Sequence, residues 1–162
     1  VVFLSRDENV ALSKLSASPI SGVALGVQWD KTSGDFMDLD LGCMMLGIDG
    51  ALLDYVSFIQ KRSHNGSVLH GGDNASQLGV VDAEAMFVNL AAIPDEVSFL
   101  SFYLSSFNGH PLIEMRSCSV GLYDSLTYRP IVLFDCSGAG GRQHTAVMLC
   151  LLIRTKTGWY FQ

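Results

Sequence analysis

Charge is scarce in this chain. Only 16% of its residues are charged while 49% are apolar, against about 25% charged in an average globular domain. That balance excludes a disordered segment, which stays unfolded through high charge and low hydropathy. Bases are scarcer than acids: ten Lys and Arg against sixteen Asp and Glu leave a net charge of −6. Nucleic acid is a poor partner for such a surface, because affinity for it comes largely from Lys and Arg on phosphates. No apolar run reaches eighteen residues, so no helix is expected to span a membrane. The opening Val1-Val2-Phe3-Leu4 has no basic residues ahead of it and soon meets Arg6, Asp7 and Glu8, which is not a signal-peptide pattern. The expected compartment is therefore the cytoplasm. The 162 residues fit one domain, 1–162, with no interior linker or repeat. The absence of an initiator Met leaves open that the domain is a fragment of a longer chain.

Chemistry-bearing motifs are also thin. Cys43, Cys118, Cys136 and Cys150 form no C-x-x-C pair, so neither a zinc ribbon nor a thioredoxin-type site is indicated. All four lie in apolar runs, where a thiol behaves as a small hydrophobe. Buried free thiols in a reducing compartment are the expectation. Ser137-Gly138-Ala139-Gly140-Gly141 resembles a phosphate loop only superficially. It lacks the Lys-Ser/Thr of that motif and its strand-to-helix setting. No Gly-x-Ser-x-Gly occurs, and no nucleophile partner is evident for His64, His70, His110 or His144. No catalytic residues are expected, and the chain reads as a non-enzyme.

What is present is a series of short β-type segments. Gly22 to Trp29, Asp38 to Gly47, Tyr55 to Ile59, Ala85 to Leu90, Val97 to Ser106, Ser119 to Tyr123, Pro130 to Phe134 and Thr145 to Ile153 are apolar runs of strand length, and Trp159-Tyr160-Phe161 could close a last hairpin. Turn-forming pairs such as Asp49-Gly50, Asn65-Gly66, Asn108-Gly109 and Thr157-Gly158 separate them. This spacing suggests an all-β sandwich or barrel. Helix signals are weak: Asp82 to Leu90 offers one or two turns, and Ala146 to Ile153 is ambiguous between helix and strand.

The acids gather at three stations. Asp30 follows Trp29, and Asp35, Asp38 and Asp40 come close behind. Period-two alternation puts Asp38 and Asp40 on one side of a strand, with Leu39 and Leu41 on the other. Two carboxylates on one side repel unless a cation, a base or water separates them. Gly71-Gly72-Asp73-Asn74 is a turn offering two adjacent oxygen donors, and Asp82 and Glu84 stand two apart before the next apolar run. Hard oxygen donors on loops suit calcium, whereas zinc would want His or Cys and His70 stands alone. Asp, Asn and Gly are equally the ordinary residues of turns. No EF-hand loop is present. The spacing by itself does not reach calcium.

Several segments follow one another in a recognisable order. They are Leu4-Ser5-Arg6-Asp7-Glu8-Asn9-Val10-Ala11-Leu12, Gly26-Val27-Gln28-Trp29-Asp30, Asp38-Leu39-Asp40, Asp54-Tyr55-Val56-Ser57-Phe58-Ile59 and His70-Gly71-Gly72-Asp73-Asn74. Asp82-Ala83-Glu84 then leads to Leu90-Ala91-Ala92-Ile93-Pro94-Asp95-Glu96-Val97, and Phe134-Asp135-Cys136-Ser137 and Gly158-Trp159 close the series. In this order they resemble the TerD-like family of tellurite-resistance and stress-response proteins, over nearly the whole chain. The resemblance implies a two-sheet antiparallel β-sandwich, with short helical turns at most and calcium held by acidic loops at one end. Carried over residue by residue, it names Asp38, Asp40, Asp73, Asn74, Asp82 and Glu84 as metal ligands. Asp30 and Asp135 come second, Asp135 fitting a turn better than a ligand. The chain departs from the family where Ala75-Ser76-Gln77-Leu78-Gly79-Val80-Val81 replaces an acidic, Gly-rich segment and where Ala83 replaces an acid. Fewer negative ligands mean weaker calcium binding. Two expectations follow: a calcium-binding stress-response or signalling module, or a degenerate domain with weakened or lost sites that acts as a structural or assembly module with a protein partner.

Overall fold

The computed structural model describes residues 1–29, 38–72, 84–115, 117–138 and 143–162. Among them are twelve strands: β1 (Val2–Phe3), β2 (Val10–Ala11), β3 (Gly22–Trp29), β4 (Leu39–Leu46), β5 (Leu52–Val56), β6 (Val68–His70), β7 (Glu84–Asn89), β8 (Phe99–Ser106), β9 (Cys118–Asp124), β10 (Pro130–Asp135), β11 (Ala146–Thr155) and β12 (Gly158–Phe161). They form two six-stranded sheets, β1-β10-β9-β3-β7-β6 and β2-β12-β11-β8-β4-β5. Every pairing is antiparallel except the short β1–β10 contact. Helical structure among these residues is confined to 3-10 turns at Leu12–Lys14, Leu90–Ala92 and Leu112–Glu114. The family-derived expectation of a two-sheet sandwich with short helical turns at most therefore holds.

The sandwich follows from side-chain alternation. In β4, Leu39, Leu41, Cys43 and Met45 are buried while Asp40, Met44 and Leu46 are half-buried on the other side. Leu25 and Val27 of β3, Val120 and Leu122 of β9, and Leu100, Phe102 and Leu104 of β8 complete the shared core. Cys43 and Cys150 both lie across from Phe102 on the central strand β8. Burial drives their thiol pKa values up, Cys43 far above the ordinary range. The ambiguous stretch from Ala146 is extended throughout, because it pairs along β8 on one side and β12 on the other. Glu84–Asn89 is likewise a strand, with the helical turn deferred to Leu90–Ala92. A Cβ on Gly42 would collide with the Tyr103 ring, so glycine there lets the tyrosine lie flat across the outside of β4.

Two expectations are corrected. The strand placed at Tyr55 to Ile59 ends at Val56, and Phe58 and Ile59 stand in a turn. The four-free-thiol reading also fails: Cys118 and Cys136 are joined by a disulfide, and only Cys43 and Cys150 are free. The bonded pair could not be read from sequence because its proximity comes from β9 and β10 pairing antiparallel. A loop closed over 18 residues contributes about 3 kcal/mol through the unfolded state. The double variant Cys118→Ser, Cys136→Ser is expected to lose roughly that amount in urea unfolding, and reductant is expected to reproduce the loss in the unmodified chain.

Side chains close the free edge of β5. Asp54 Oδ1 accepts the Tyr55 N–H at 2.8 Å, and Gln60 Nε2 donates to the Tyr55 carbonyl at 2.7 Å and to Asp54 Oδ1 at 3.0 Å. Asp54 Oδ2 accepts the His64 N–H at 2.8 Å. On the neighbouring edge, His70 N–H bonds to the Lys61 carbonyl at 2.8 Å and Ser63 N–H to the Val68 carbonyl at 3.0 Å. Edges satisfied in this way do not recruit foreign strands. Burial alone would raise the Asp54 pKa, but hydrogen bonds from His64, Tyr55 and Gln60 outweigh it and hold the carboxyl below its ordinary value. A depressed acid stabilises the fold above its unfolded pKa of 3.8 and loses that contribution as pH falls through the lower folded value. Asp54→Asn is thus expected to cost about 1–3 kcal/mol at neutral pH. The deficit should shrink once the pH passes below 3.8, as followed by chemical unfolding across pH.

Candidate metal centre

The acidic segments enter and leave the sandwich at one end. Trp29, the last residue of β3, pairs with Cys118, and two residues earlier Val27 pairs with Glu84. In the other sheet Leu39 pairs with Ser106 and Ala146 with Ser105. His70 closes β6 opposite Met86. Among the described residues, Glu84 Oε2 ties the two sheets together here by accepting the Leu41 N–H at 2.6 Å. That N–H needs an acceptor from elsewhere, because β5 stops at Val56, opposite Cys43. Glu84 reaches it because it shares the core-facing side of β7 with Met86 and Val88.

Three candidate ligands can be placed at this end. Asp40 is half-buried, Asp38 exposed, and Leu39 and Leu41 are turned into the core, the alternation expected for β4. The Asp40 carboxyl pKa is raised, first by burial, then by the negative charges of Glu84 and Asp38, and is only partly relieved by His70. Such a carboxylate is short of positive charge. His70 is more engaged than its isolation in sequence suggests. Its Nδ1 lies 2.9 Å from the Gly72 N–H, which donates to it, and its Nε2 faces Glu84 Oε2 at 3.5 Å. The ring is almost fully buried, and Nε2 has no hydrogen bond of good geometry. The signal for it was the period-two step from Val68, which sends both side chains to the core side of β6. His70 thus faces Glu84 from the neighbouring strand.

Asp30, Asp73, Asn74 and Asp82 lie outside the described residues. Asp135, the exposed last residue of β10, has its pKa lowered by hydrogen bonding to the Ser137 side chain and by the Ser137 N–H, which Oδ1 accepts at 2.7 Å. Among the described residues no group of three His, Cys, Asp or Glu is gathered closely enough to hold a metal. What these residues supply is a field: two carboxylates acting on Asp40, with the His70 imidazole behind. Carboxylate oxygens suit a hard divalent cation rather than zinc, and among the described residues they are not gathered into a donor set.

Fold and site together define a two-sheet β-sandwich with an acidic pole. The TerD domain model matches residues 1–162, and the chain belongs to that family. It is 30% identical to tellurium resistance protein TerZ of Serratia marcescens over 99% of its own length and 87% of that protein's. It is 32% identical to general stress protein 16U of Bacillus subtilis (strain 168) over 64% of the chain and 56% of that protein. In fold it is similar to the crystal structure of a homologue of telluride resistance protein (TerD) from Streptomyces coelicolor A3(2). The TM-score is 0.69 at 20% identity, over 89% of this chain and 88% of that one.

Two substitutions that remove the same charge should move stability in opposite directions. Asp40→Asn relieves repulsion and is expected to raise the melting temperature in chelator by about 2 °C. Glu84→Ala strips the acceptor from Leu41 N–H and is expected to cost about 1–3 kcal/mol. Thermal and urea unfolding in chelator check both.

Proposed function

We propose that this chain is a non-catalytic, calcium-binding module of the TerD family, acting in the cytoplasm in a stress or tellurium response. The observation that carries the proposal is the Asp40 carboxyl, held in the field of Glu84 and Asp38 where the acidic segments meet the sandwich. A divalent ion there would neutralise the repulsion and draw Asp38, Asp40 and Glu84 toward a common charge. The family resemblance adds Asp73, Asn74 and Asp82 as further ligands. The names of the relatives, a tellurium resistance protein and a general stress protein, support the process but name no chemical step. In a reducing cytoplasm the Cys118–Cys136 bond would form only under oxidation.

Binding to the folded state alone raises stability by about 2.7 kcal/mol at a hundredfold excess over Kd. For a chain of this size that corresponds to a melting temperature higher by roughly 5–10 °C. Calcium is expected to produce such a rise and chelator to reverse it, with magnesium less effective. A melting temperature indifferent to all three would remove the cation from the account. The second reading, an assembly module that keeps the sandwich but not the ion, would then stand. It is favoured by the exposed apolar side chains of Leu52, Phe58, Ile59, Phe107 and Met148.

A further inference from the structure

We infer that the aromatic corner beside the acidic pole docks a basic, amphipathic peptide segment. Its Lys or Arg side chains would meet Asp38 and Asp40, and its bulky apolar side chains would meet Phe58, Ile59 and Phe107. Those three apolar residues are 41%, 76% and 64% exposed. The two phenyl rings meet edge to face, 5.5 Å apart at 89°. Phe107 N–H donates to the Asp38 carbonyl at 2.8 Å, so the aromatic corner and the carboxylates share one piece of backbone geometry. A lone exposed apolar side chain is ordinary. An edge-to-face pair with an isoleucine next to it, beside two carboxylates, is the composition of a binding surface.

The corner is also held ready. Ser57 N–H bonds to the Gln60 carbonyl at 2.9 Å, and Ser57 Oγ accepts the Ile59 N–H at 3.2 Å. Gln60 is in turn fixed to Asp54 and to the Tyr55 carbonyl. Phe107 sits in the turn that Gly109 N–H closes on the Ser106 carbonyl at 3.4 Å. Side chains presented from bonded turns lose little freedom on binding. Charge selects the occupant. The chain carries a net charge of −6, so a second copy brings like charge to this corner, and an anionic membrane does the same. A cationic segment is attracted, and its apolar side chains cover the rings.

The test uses the full chain in chelator with a fluorescent synthetic peptide alternating lysine and leucine, followed by anisotropy. The peptide is expected to bind with an affinity that falls as salt rises. Phe58→Ser or Phe107→Ser should weaken it about tenfold without changing the melting temperature. Asp38→Asn with Asp40→Asn should abolish most of the salt dependence, and oligolysine of equal charge should bind about tenfold more weakly. Serine variants that bind like the unmodified chain would overturn the proposal. So would oligolysine binding as tightly as the mixed peptide, or anionic phospholipid vesicles binding where the peptide does not. The inference goes beyond the calcium reading and does not need it. A melt indifferent to calcium defeats that reading and leaves every peptide arm unchanged, whereas shared use of Asp38 and Asp40 makes calcium displace the peptide.

Discussion

A carboxylate of one sheet accepting a backbone N–H of the other is the contact on which the acidic pole depends. Glu84 leaves β7 on its core-facing side and takes the Leu41 N–H that β5 is too short to reach. A buried, unpaired N–H is costly, so this bond fixes how the ends of the two sheets sit against each other. Its consequence is electrostatic. The charge that satisfies Leu41 also presses on Asp40, and His70 returns only part of the balance. The pole is thus held together by a group that makes it short of positive charge. That is the physical basis for reading it as a place where cations, metallic or organic, gather.

The rest of the sandwich is built to leave that pole as its chemically distinctive region. The loop from Ser57 to Val68 and the Asp54 network seal the edges of β5 and β6, while the opposite edges are strands of only two residues. Edge-to-edge pairing is thereby discouraged. The disulfide between β9 and β10 lies at the same end, in the sheet that carries Glu84. The core beneath is mainly apolar, with two buried thiols whose raised pKa values make them inert hydrophobes rather than reagents.

The strand content of this chain was legible in its residues because alternation is a local property. β4 could be read from Asp38-Leu39-Asp40-Leu41, and the structure repeats that reading in its burial. The acidic stations were visible in the sequence as clusters, and of their metal-ligand candidates Asp38, Asp40 and Glu84 fall among the described residues. The inward turn of Glu84, the engagement of His70 and the Cys118–Cys136 bond were not legible. Each depends on a partner 14 or more residues away, supplied by strand register or, for Glu84, by the packing of one sheet on the other. Phe58 and Ile59 were misplaced in a strand because their apolar character matches one, while the turn is imposed by Ser57 and Gln60 bonding.

By itself the sequence determined the class: short alternating segments, few charges and turn residues between them permit little except a layered β domain. Its ordered motifs determined the family. Tertiary structure alone decided which acids act on one another and which apolar side chains remain in solvent. Alternation fixes only the side of a strand on which a residue stands, whereas the meeting of two sides is set by register and sheet packing between residues far apart in the chain.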